Sequence, residues 1–313
     1  MQRLWRSLVV ALSFFVATWP IAAQDATDSV VEIMHSFGVV PDVTYLRADG
    51  YESKLDVYVP RDRSTRRPTV VYIHGGGWVG GDKDASTLSV LPYLQMGFAA
   101  VNVEYRLAGE ALAPGAVEDT RCALRWVYQN AEEYGFDTER IVVTGASAGG
   151  HLSLTTGMLT AERGFDRRCP VRIPPTDGRG RADTEPVEMP VAAIVNWFGI
   201  TDVPDLLEGE NAKTYAVAWM GSLPNRKELG DELSPLTMVN SESNPPILTL
   251  HGDADLIVPY AHATRLHEKL DDAGVANRLH TVPGGGHGNF TVDEYKEAFR
   301  VIREFLHSVF SGS

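Results

Sequence analysis

The 313-residue sequence is short of several things. It holds two cysteines, too few to staple a small disulfide-built fold, so a hydrophobic core has to hold it together. Positive charge is scarce: 28 Lys and Arg stand against 41 Asp and Glu, a net charge of −13. Such a surface repels phosphate backbones, which argues against a nucleic-acid partner. After the first 20 or so residues no apolar run is long enough to span a bilayer. No internal repeat and no low-complexity tract is present. At 44% hydrophobic and 22% charged residues, the composition also excludes a disordered chain.

The N-terminus has its own order. Arg3 and Arg6 precede an apolar run from Leu8 to Thr18, followed by Trp19, Pro20 and the small residues Ala22 and Ala23. Charge, apolar run and small residues in that order read as a secretory signal over residues 1–23, cleaved after Ala23. The expectation is therefore a secreted or periplasmic protein without stable membrane insertion, its residues 24–313 forming a single catalytic domain. An oxidising compartment permits a bridge between Cys122 and Cys169; the separation of their Cα atoms decides whether one forms.

Residues 24–42 read as a leader with one helix. Beyond them, apolar strands and amphipathic helices alternate. The strands are expected at 43–48, 54–59, 69–73, 98–104, 141–145, 192–197, 246–250 and 277–281. The helices are expected at 87–96, 116–134, 148–160, 261–273 and 293–309. Continuous apolar runs such as Val70-Val71-Tyr72-Ile73 fit central strands buried on both faces. The alternation predicts an α/β fold, a mostly parallel eight-stranded sheet with helices on both faces. Two stretches break the rhythm. Residues 161–190 are polar and without periodicity, which reads as an exposed insertion. Residues 201–243 read as a small cap over a pocket.

Four motifs carry chemistry. Gly145-Ala146-Ser147-Ala148-Gly149 is a G-x-S-x-G pattern that follows one predicted strand and opens one predicted helix. At such a corner the central residue sits in a tight turn, and only small neighbours avoid the adjacent strand and helix. The Ser147 hydroxyl is then held clear of the backbone at the sheet edge. A serine hydroxyl becomes nucleophilic only when a base takes its proton. His287, in the glycine-rich loop Pro283-Gly284-Gly285-Gly286-His287-Gly288, is placed for this at the end of the last strand; His280, inside that strand, reads as structural. An acid must orient the base. Asp253 and Asp255 both follow the strand Ile247–Leu250, and the residues themselves do not separate them. Fourth, His74-Gly75-Gly76-Gly77-Trp78 follows strand 69–73. Glycines let backbone N–H groups approach a tetrahedral oxyanion, and the N–H after the nucleophile, that of Ala148, is the second donor source.

Other readings compete. Gly75-Gly76-Gly77-Trp78-Val79-Gly80 satisfies the G-x-G-x-x-G of a dinucleotide site, with Glu104 ending a later strand. Thr144-Gly145-Ala146-Ser147-Ala148-Gly149 also looks like a short-chain dehydrogenase loop. However, His151 stands where that family has glycine, and no tyrosine has a lysine four residues later. A catalytically dead fold used for binding is disfavoured because no motif is damaged. The aromatic residues Trp78, Trp197, Phe198 and Trp219 are candidates for lining a pocket or for core packing. Trp78 is expected to touch substrate, because its neighbours tie it to the glycine loop.

These residues resemble the α/β-hydrolase superfamily. More closely, they are similar to bacterial esterases grouped with bifunctional acetylxylan/feruloyl esterases, near the hormone-sensitive-lipase-like branch. The resemblance covers about residues 43–309. It is carried by His74-Gly75-Gly76-Gly77-Trp78, Glu104-Tyr105-Arg106-Leu107-Ala108, Ser147-Ala148-Gly149-Gly150-His151, Trp197-Phe198-Gly199, Ser234-Pro235-Leu236-Thr237, His251-Gly252-Asp253-Ala254-Asp255 and Gly285-Gly286-His287-Gly288. The resemblance implies that the last residue of the His-Gly-x-x-Asp pattern, Asp255, is the acid. It implies oxyanion donors at Gly76, Gly77 and Ala148. It implies a serine carboxylesterase without metal or cofactor, acting on a small-molecule or polysaccharide ester through an acyl-enzyme. A lipase-like esterase, an arylformamidase-type amidase and an exopeptidase share the fold. Where the family has Ala-Pro-Glu after Tyr-Arg-Leu, this chain has Ala108-Gly109-Glu110, and its 161–190 stretch is longer. Both departures bear on the substrate pocket.

Overall fold

The computed structural model of the chain describes residues 21–170 and 187–312. The expected signal run from Arg3 to Thr18 and the 171–186 part of the expected insertion lie outside the described residues. In chain order come α1 (Ile21–Ser36), β1 (Phe37–Ala48), β2 (Tyr51–Pro60), β3 (Arg67–Ile73), α2 (Leu91–Gln95), β4 (Ala99–Val103), α3 (Gly115–Gln129), α4 (Ala131–Tyr134) and β5 (Phe136–Ala146). Then follow α5 (Ala148–Met158), β6 (Ala193–Trp197), α6 (Thr214–Met220), α7 (Arg226–Glu232), β7 (Ile247–Gly252), α8 (Ala261–Asp272), β8 (Asn277–Val282) and α9 (Val292–Ser311). No described helix is long and apolar enough to cross a membrane.

The eight strands form one sheet in the order β1-β2-β4-β3-β5-β6-β7-β8. β2 runs antiparallel to β1 and β4, and the five pairings from β4–β3 to β7–β8 are parallel. The continuous apolar runs are buried on both faces, as their pattern required. Val71, Ile73 and Val143 join a core with Leu124 of α3, Leu152 of α5 and Leu266 of α8. Their neighbours Val70, Tyr72 and Val142 join a second core with Tyr93 and Leu94 of α2 and Val301 and Phe305 of α9. Alternate side chains thus feed opposite layers, which is how a period-2 strand with two buried faces has to behave.

The differences from the sequence reading have local causes. The leader 24–42 divides into α1 and the start of β1, which pairs from Phe37 onward with Pro60 of β2. The helix expected over 116–134 breaks at Asn130, whose side-chain amide donates to the Trp126 carbonyl at 2.7 Å. A side chain that binds the backbone this way competes with the helical ladder. The 87–96 segment is a 3-10 turn at Thr87–Val90 that passes into α2 around Pro92. Proline is tolerated there because the first-turn N–H has no intrahelical partner to lose.

The expectation of an exposed 161–190 insertion needs correction at its described flanks. Phe165, Asp166, Cys169 and Met189 are buried. Cys169 is disulfide-bonded to Cys122 of α3, with Cα atoms 4.8 Å apart. Asp166 receives both Nε and Nη2 of the buried Arg121, each at 2.7 Å. Arg121 also donates to the Thr156 and Leu159 carbonyls at the end of α5, so its charge is fully hydrogen-bonded. Bridge and ion pair fasten this segment to α3 and α5, directly behind the helix that the G-x-S-x-G motif opens.

Candidate active site

Six loops leave the C-terminal edge of the parallel strands side by side. Register sets their order. Ile73 of β3 pairs with Gly145 of β5, so Gly75 and Ser147 exit level with each other. A Cβ placed on Gly75 lies 3.5 Å from the Ser147 Cβ and 2.7 Å from the Ala146 carbonyl oxygen. Ala146 pairs with Trp197, and Ser147 N–H donates to the Trp197 carbonyl at 2.9 Å.

Ser147 sits at φ 59°, ψ −121° between β5 and α5. A non-glycine residue held there stores about 1–3 kcal/mol of backbone strain, which persists only when its surroundings over-determine it. They do. A Cβ on Gly149 falls 2.1 Å from the Ile73 oxygen, and one on Gly145 falls 2.4 Å from the same atom. The small neighbours that the motif required are imposed by backbone on every side. The Ser147 side chain is left half-exposed at the mouth of the site.

The glycine loop wraps against this elbow. Gly76 and Gly77 have φ of 117° and 61°, conformations that disfavour a side chain. Gly77 also lies against the Tyr215 ring of α6, where a Cβ meets Cγ at 2.8 Å. Among the described residues the N–H groups of Gly76, Gly77 and Ala148 have no acceptor. They are unsatisfied donors on the two segments that meet where Gly75 lies against Ser147. The Glu104-Tyr105-Arg106-Leu107-Ala108 motif braces the loop from behind. Tyr105 stacks on His74 with ring centroids 4.2 Å apart and donates to the His74 carbonyl, and Ala108 N–H donates to the Trp78 carbonyl. Arg106 anchors that brace through a bidentate pair to Asp119 of α3.

Hydrogen bonds distinguish the two candidate aspartates. His287 Nδ1 lies 2.7 Å from Asp255 Oδ2. Asp253, by contrast, is exposed and accepts the Gly284 N–H at 2.6 Å. The second oxygen of Asp255 accepts Ile257 N–H at 2.8 Å and Val258 N–H at 3.0 Å. Burial opposes ionisation of Asp255, but hydrogen bonds from His251 and His287 and the attraction of His287 outweigh it. Its carboxyl is held well below the usual carboxylate range. His287 is oriented from below by Phe198, edge-on at 4.7 Å between centroids. The Ser147 hydroxyl has no hydrogen-bond partner among the described residues; in free enzymes the serine–histidine contact commonly tightens only on substrate binding.

The structure corrects one expected contact. Trp78 is fully buried, stacked on Trp219 of α6 at 4.1 Å and edge-on to His151. It supports the glycine loop from inside the core and does not face substrate. Its backbone goes into the core because Gly77 turns the chain inward at positive φ. Trp197 and Trp219 are core residues as well. The segment 201–243 does form a small cap, tied over the site by two hydrogen bonds. Lys213 Nζ donates to the Leu256 carbonyl at 3.0 Å and Tyr215 Oη to the Ile257 carbonyl at 3.3 Å. Tyr215 therefore touches both the glycine loop and the acid loop. Burial, with Asp255 nearby, pushes its hydroxyl up to about 12. No sequence motif marks Tyr215. Phe198 was visible as the residue just after a strand, but its seat beneath His287 was not.

Fold and edge chemistry together define an α/β-hydrolase. The BD-FAE family profile matches residues 55–270. Among curated proteins, Esterase LipC of Mycobacterium tuberculosis is 26% identical over 287 residues, covering 90% of this chain and 67% of that protein. Esterase LipQ of the same organism is 28% identical over 236 residues, 72% of this chain and 52% of that protein. The chain thus spans between half and two thirds of the length of these relatives. A solved carbohydrate esterase from gut microbiota, in truncated form, superposes with a TM-score of 0.69 at 28% identity, over 87% of this chain and 98% of that one. An acetyl ester-xyloside bifunctional hydrolase from Caldicellulosiruptor lactoaceticus gives 0.67 at 25% identity, over 83% and 89%. A propionate-bound thermophilic esterase from Thermogutta terrifontis gives 0.67 at 26%, over 89% and 96%. The chain belongs to the BD-FAE family and is a carboxylic ester hydrolase.

Proposed function

We propose that the protein is an exported serine carboxylesterase that cleaves short acyl or feruloyl esters, including those on plant polysaccharide. The observation that carries this reading is the 2.7 Å Asp255–His287 pair on loops that leave the same sheet edge as Ser147. With Nδ1 committed to Asp255, His287 has Nε2 for the serine proton. Ser147 Oγ attacks the ester carbonyl carbon as His287 takes that proton. The carbonyl π electrons move to oxygen, and the N–H groups of Gly76, Gly77 and Ala148 receive the oxyanion. Collapse breaks the C–O bond to the alcohol, which leaves with the proton from His287. Water then attacks the acyl-enzyme by the same route and regenerates Ser147.

Export is supported by the charged, apolar and small-residue order of the first 23 residues and by the Cys122–Cys169 bridge. The substrate class is supported by the similarity to a carbohydrate esterase and to an acetyl ester-xyloside hydrolase. A lipase-like esterase is the second reading. Leu256 and Ile257, directly after Asp255, are 84% and 45% exposed and offer an apolar rim.

Hydrolysis of p-nitrophenyl esters from acetyl to dodecanoyl, with Ser147→Ala as control, tests both. We expect activity concentrated on acetyl and butyryl esters, followed by deacetylation of acetylated xylan or release of ferulate. The Ser147→Ala variant should fold normally with kcat lower by about 10⁴- to 10⁶-fold. Activity rising with chain length moves the assignment to the lipase-like reading. Silence across the series, or full activity of Ser147→Ala, overturns the mechanism.

A further inference from the structure

Asp255 serves two histidines. Its Oδ2 faces His287 Nδ1 at 2.7 Å and also His251 Nε2 at 3.2 Å. His251 is fully buried at the end of β7. Its Nε2 also lies 3.0 Å from the Val258 carbonyl oxygen, while its Nδ1 is buried with no hydrogen-bond partner. An acceptor at Nε2 and none at Nδ1 define the tautomer: the proton is on Nε2, bonded to the Val258 carbonyl, with the Asp255 oxygen 3.2 Å away. The Ile257 and Val258 N–H groups and His287 hydrogen-bond to the carboxylate, and His251 Nε2 is its fourth close polar neighbour.

We propose that His251 is a positioning residue for catalysis: its neutral Nε2–H holds the Asp255 oxygen that orients His287. This rests on the Ser147–His287–Asp255 reading. The mechanism uses the oxygen nearest His287, and among the described residues His251 is the one side chain besides His287 with a nitrogen recorded within 4 Å of that oxygen. Other charged and titratable groups face the pair: Lys213 and Tyr215 at the start of α6, Asp253 on the same loop and Tyr260 ahead of α8. None of them hydrogen-bonds to Oδ2. Without the His251 donor, the charge on Asp255 is directed more fully at His287 and favours its imidazolium. The orientation of Asp255 also loosens. The first effect moves a pH limb and the second lowers kcat.

The test compares wild type with His251→Gln, His251→Phe and Asp255→Asn. Glutamine can present a side-chain N–H near the Nε2 position, whereas phenylalanine fills the ring space without a donor. We expect His251→Gln to stay within about 3-fold of wild type. We expect His251→Phe to lose about 10- to 100-fold in kcat at nearly unchanged KM, the size of one lost charge-assisted hydrogen bond. Its acid limb of kcat/KM should move to higher pH. A folded His251→Phe with wild-type kcat and an unmoved limb overturns the proposal, as does equal loss in both His251 variants. Wild-type activity of Asp255→Asn instead overturns the underlying triad reading, which separates the two failures. If His251→Phe does not fold, nitrogen chemical shifts of wild-type His251 decide. The neutral Nε2–H form at pH 7 supports the proposal, and the Nδ1–H or doubly protonated form overturns it.

Discussion

At the end of β5 and at the ends of β7 and β8 the chain uses glycine for close approach, yet the outcome differs. Around Ser147 the glycines leave one candidate residue in one conformation. Gly145 and Gly149 lie against the Ile73 carbonyl, and the serine between them is forced to positive φ. At the other two ends, Gly252 lies against Gly285, where a Cβ would fall 2.1 Å from the carbonyl oxygen. That contact joins the acid loop to the base loop but does not choose between Asp253 and Asp255. The choice is made by hydrogen bonds: Gly284 N–H occupies Asp253, and His287, His251, Ile257 and Val258 converge on Asp255. Steric exclusion fixes the conformation of Ser147; hydrogen bonding across distant segments sets Asp255 apart from Asp253.

The acid-side half of that contrast breaks if the two aspartates behave alike. Asp255→Asn should lower kcat/KM by about 10²- to 10⁴-fold, because an amide cannot hold the imidazolium. Asp253→Asn should stay within about 3-fold, because the amide oxygen still accepts Gly284 N–H. Steady-state kinetics on p-nitrophenyl acetate separates them, and the reverse result would reassign the acid.

The steric half is sharpened by three alanine substitutions. Gly149→Ala and Gly252→Ala put a methyl group into backbone oxygen 2.1 Å away and should each cost at least about 3 kcal/mol, or prevent folding altogether. Gly286→Ala has its nearest neighbour at 3.9 Å and no positive φ. It should cost less than about 1 kcal/mol by denaturant unfolding. Equal effects at all three positions would show that close packing does not shape these loops.

Acid should separate the two halves too. Burial holds His151, just behind Ser147, down to about 4, and it lowers His74 as well. In the unfolded chain both histidines bind protons below the ordinary value of about 6.5, while the folded protein resists. Stability therefore falls as pH drops from about 6.5 toward 4, by on the order of 3 kcal/mol for His151. The Asp255 carboxyl is lowered too, from a lower starting value. Its contribution is intact above the ordinary aspartate value of about 3.9 and is lost only as pH falls further. Thermal unfolding midpoints from pH 7 to 4 should decline steadily, with a smaller decline in His151→Gln.

A modest effect is expected at Tyr215, which joins the two halves. Tyr215→Phe removes the 3.3 Å bond to the Ile257 carbonyl but keeps the ring against Gly77. It should change kcat/KM by less than about 5-fold, while Tyr215→Ala, which frees the glycine loop, should do more. Parity between the two would mean that the ring does not support the loop.

Much of this was legible in advance because it depends on neighbours in sequence. The central strands appear as short apolar runs, and both-faced burial follows from their continuity. Ser147, the glycine loop and His287 were recognisable because each motif carries its own turn chemistry beside a strand. Other features were not legible, each for a reason of distance. Cys122 and Cys169 are 47 residues apart, and nothing local reports their 4.8 Å Cα separation. Trp78 reads as a pocket residue from its neighbours, yet it is drawn inward by Trp219, from a helix beyond β6. The flanks of the 161–190 stretch read as exposed from their polarity, but Asp166 is buried because Arg121 needs a partner.

By itself, then, the sequence determined the order of the strands, the longer helices between them and the tight turns at the strand ends. Those follow from side-chain period and from where glycine alone fits. It also determined which residue types stand at the sheet edge. Only the tertiary structure decided which aspartate serves His287, that His251 shares it, that Trp78 packs inward, and that Tyr215 bridges two loops. Each of those depends on atoms brought within about 3–4 Å from segments far apart in the chain, and packing and hydrogen-bond geometry at that range are not encoded in any local pattern.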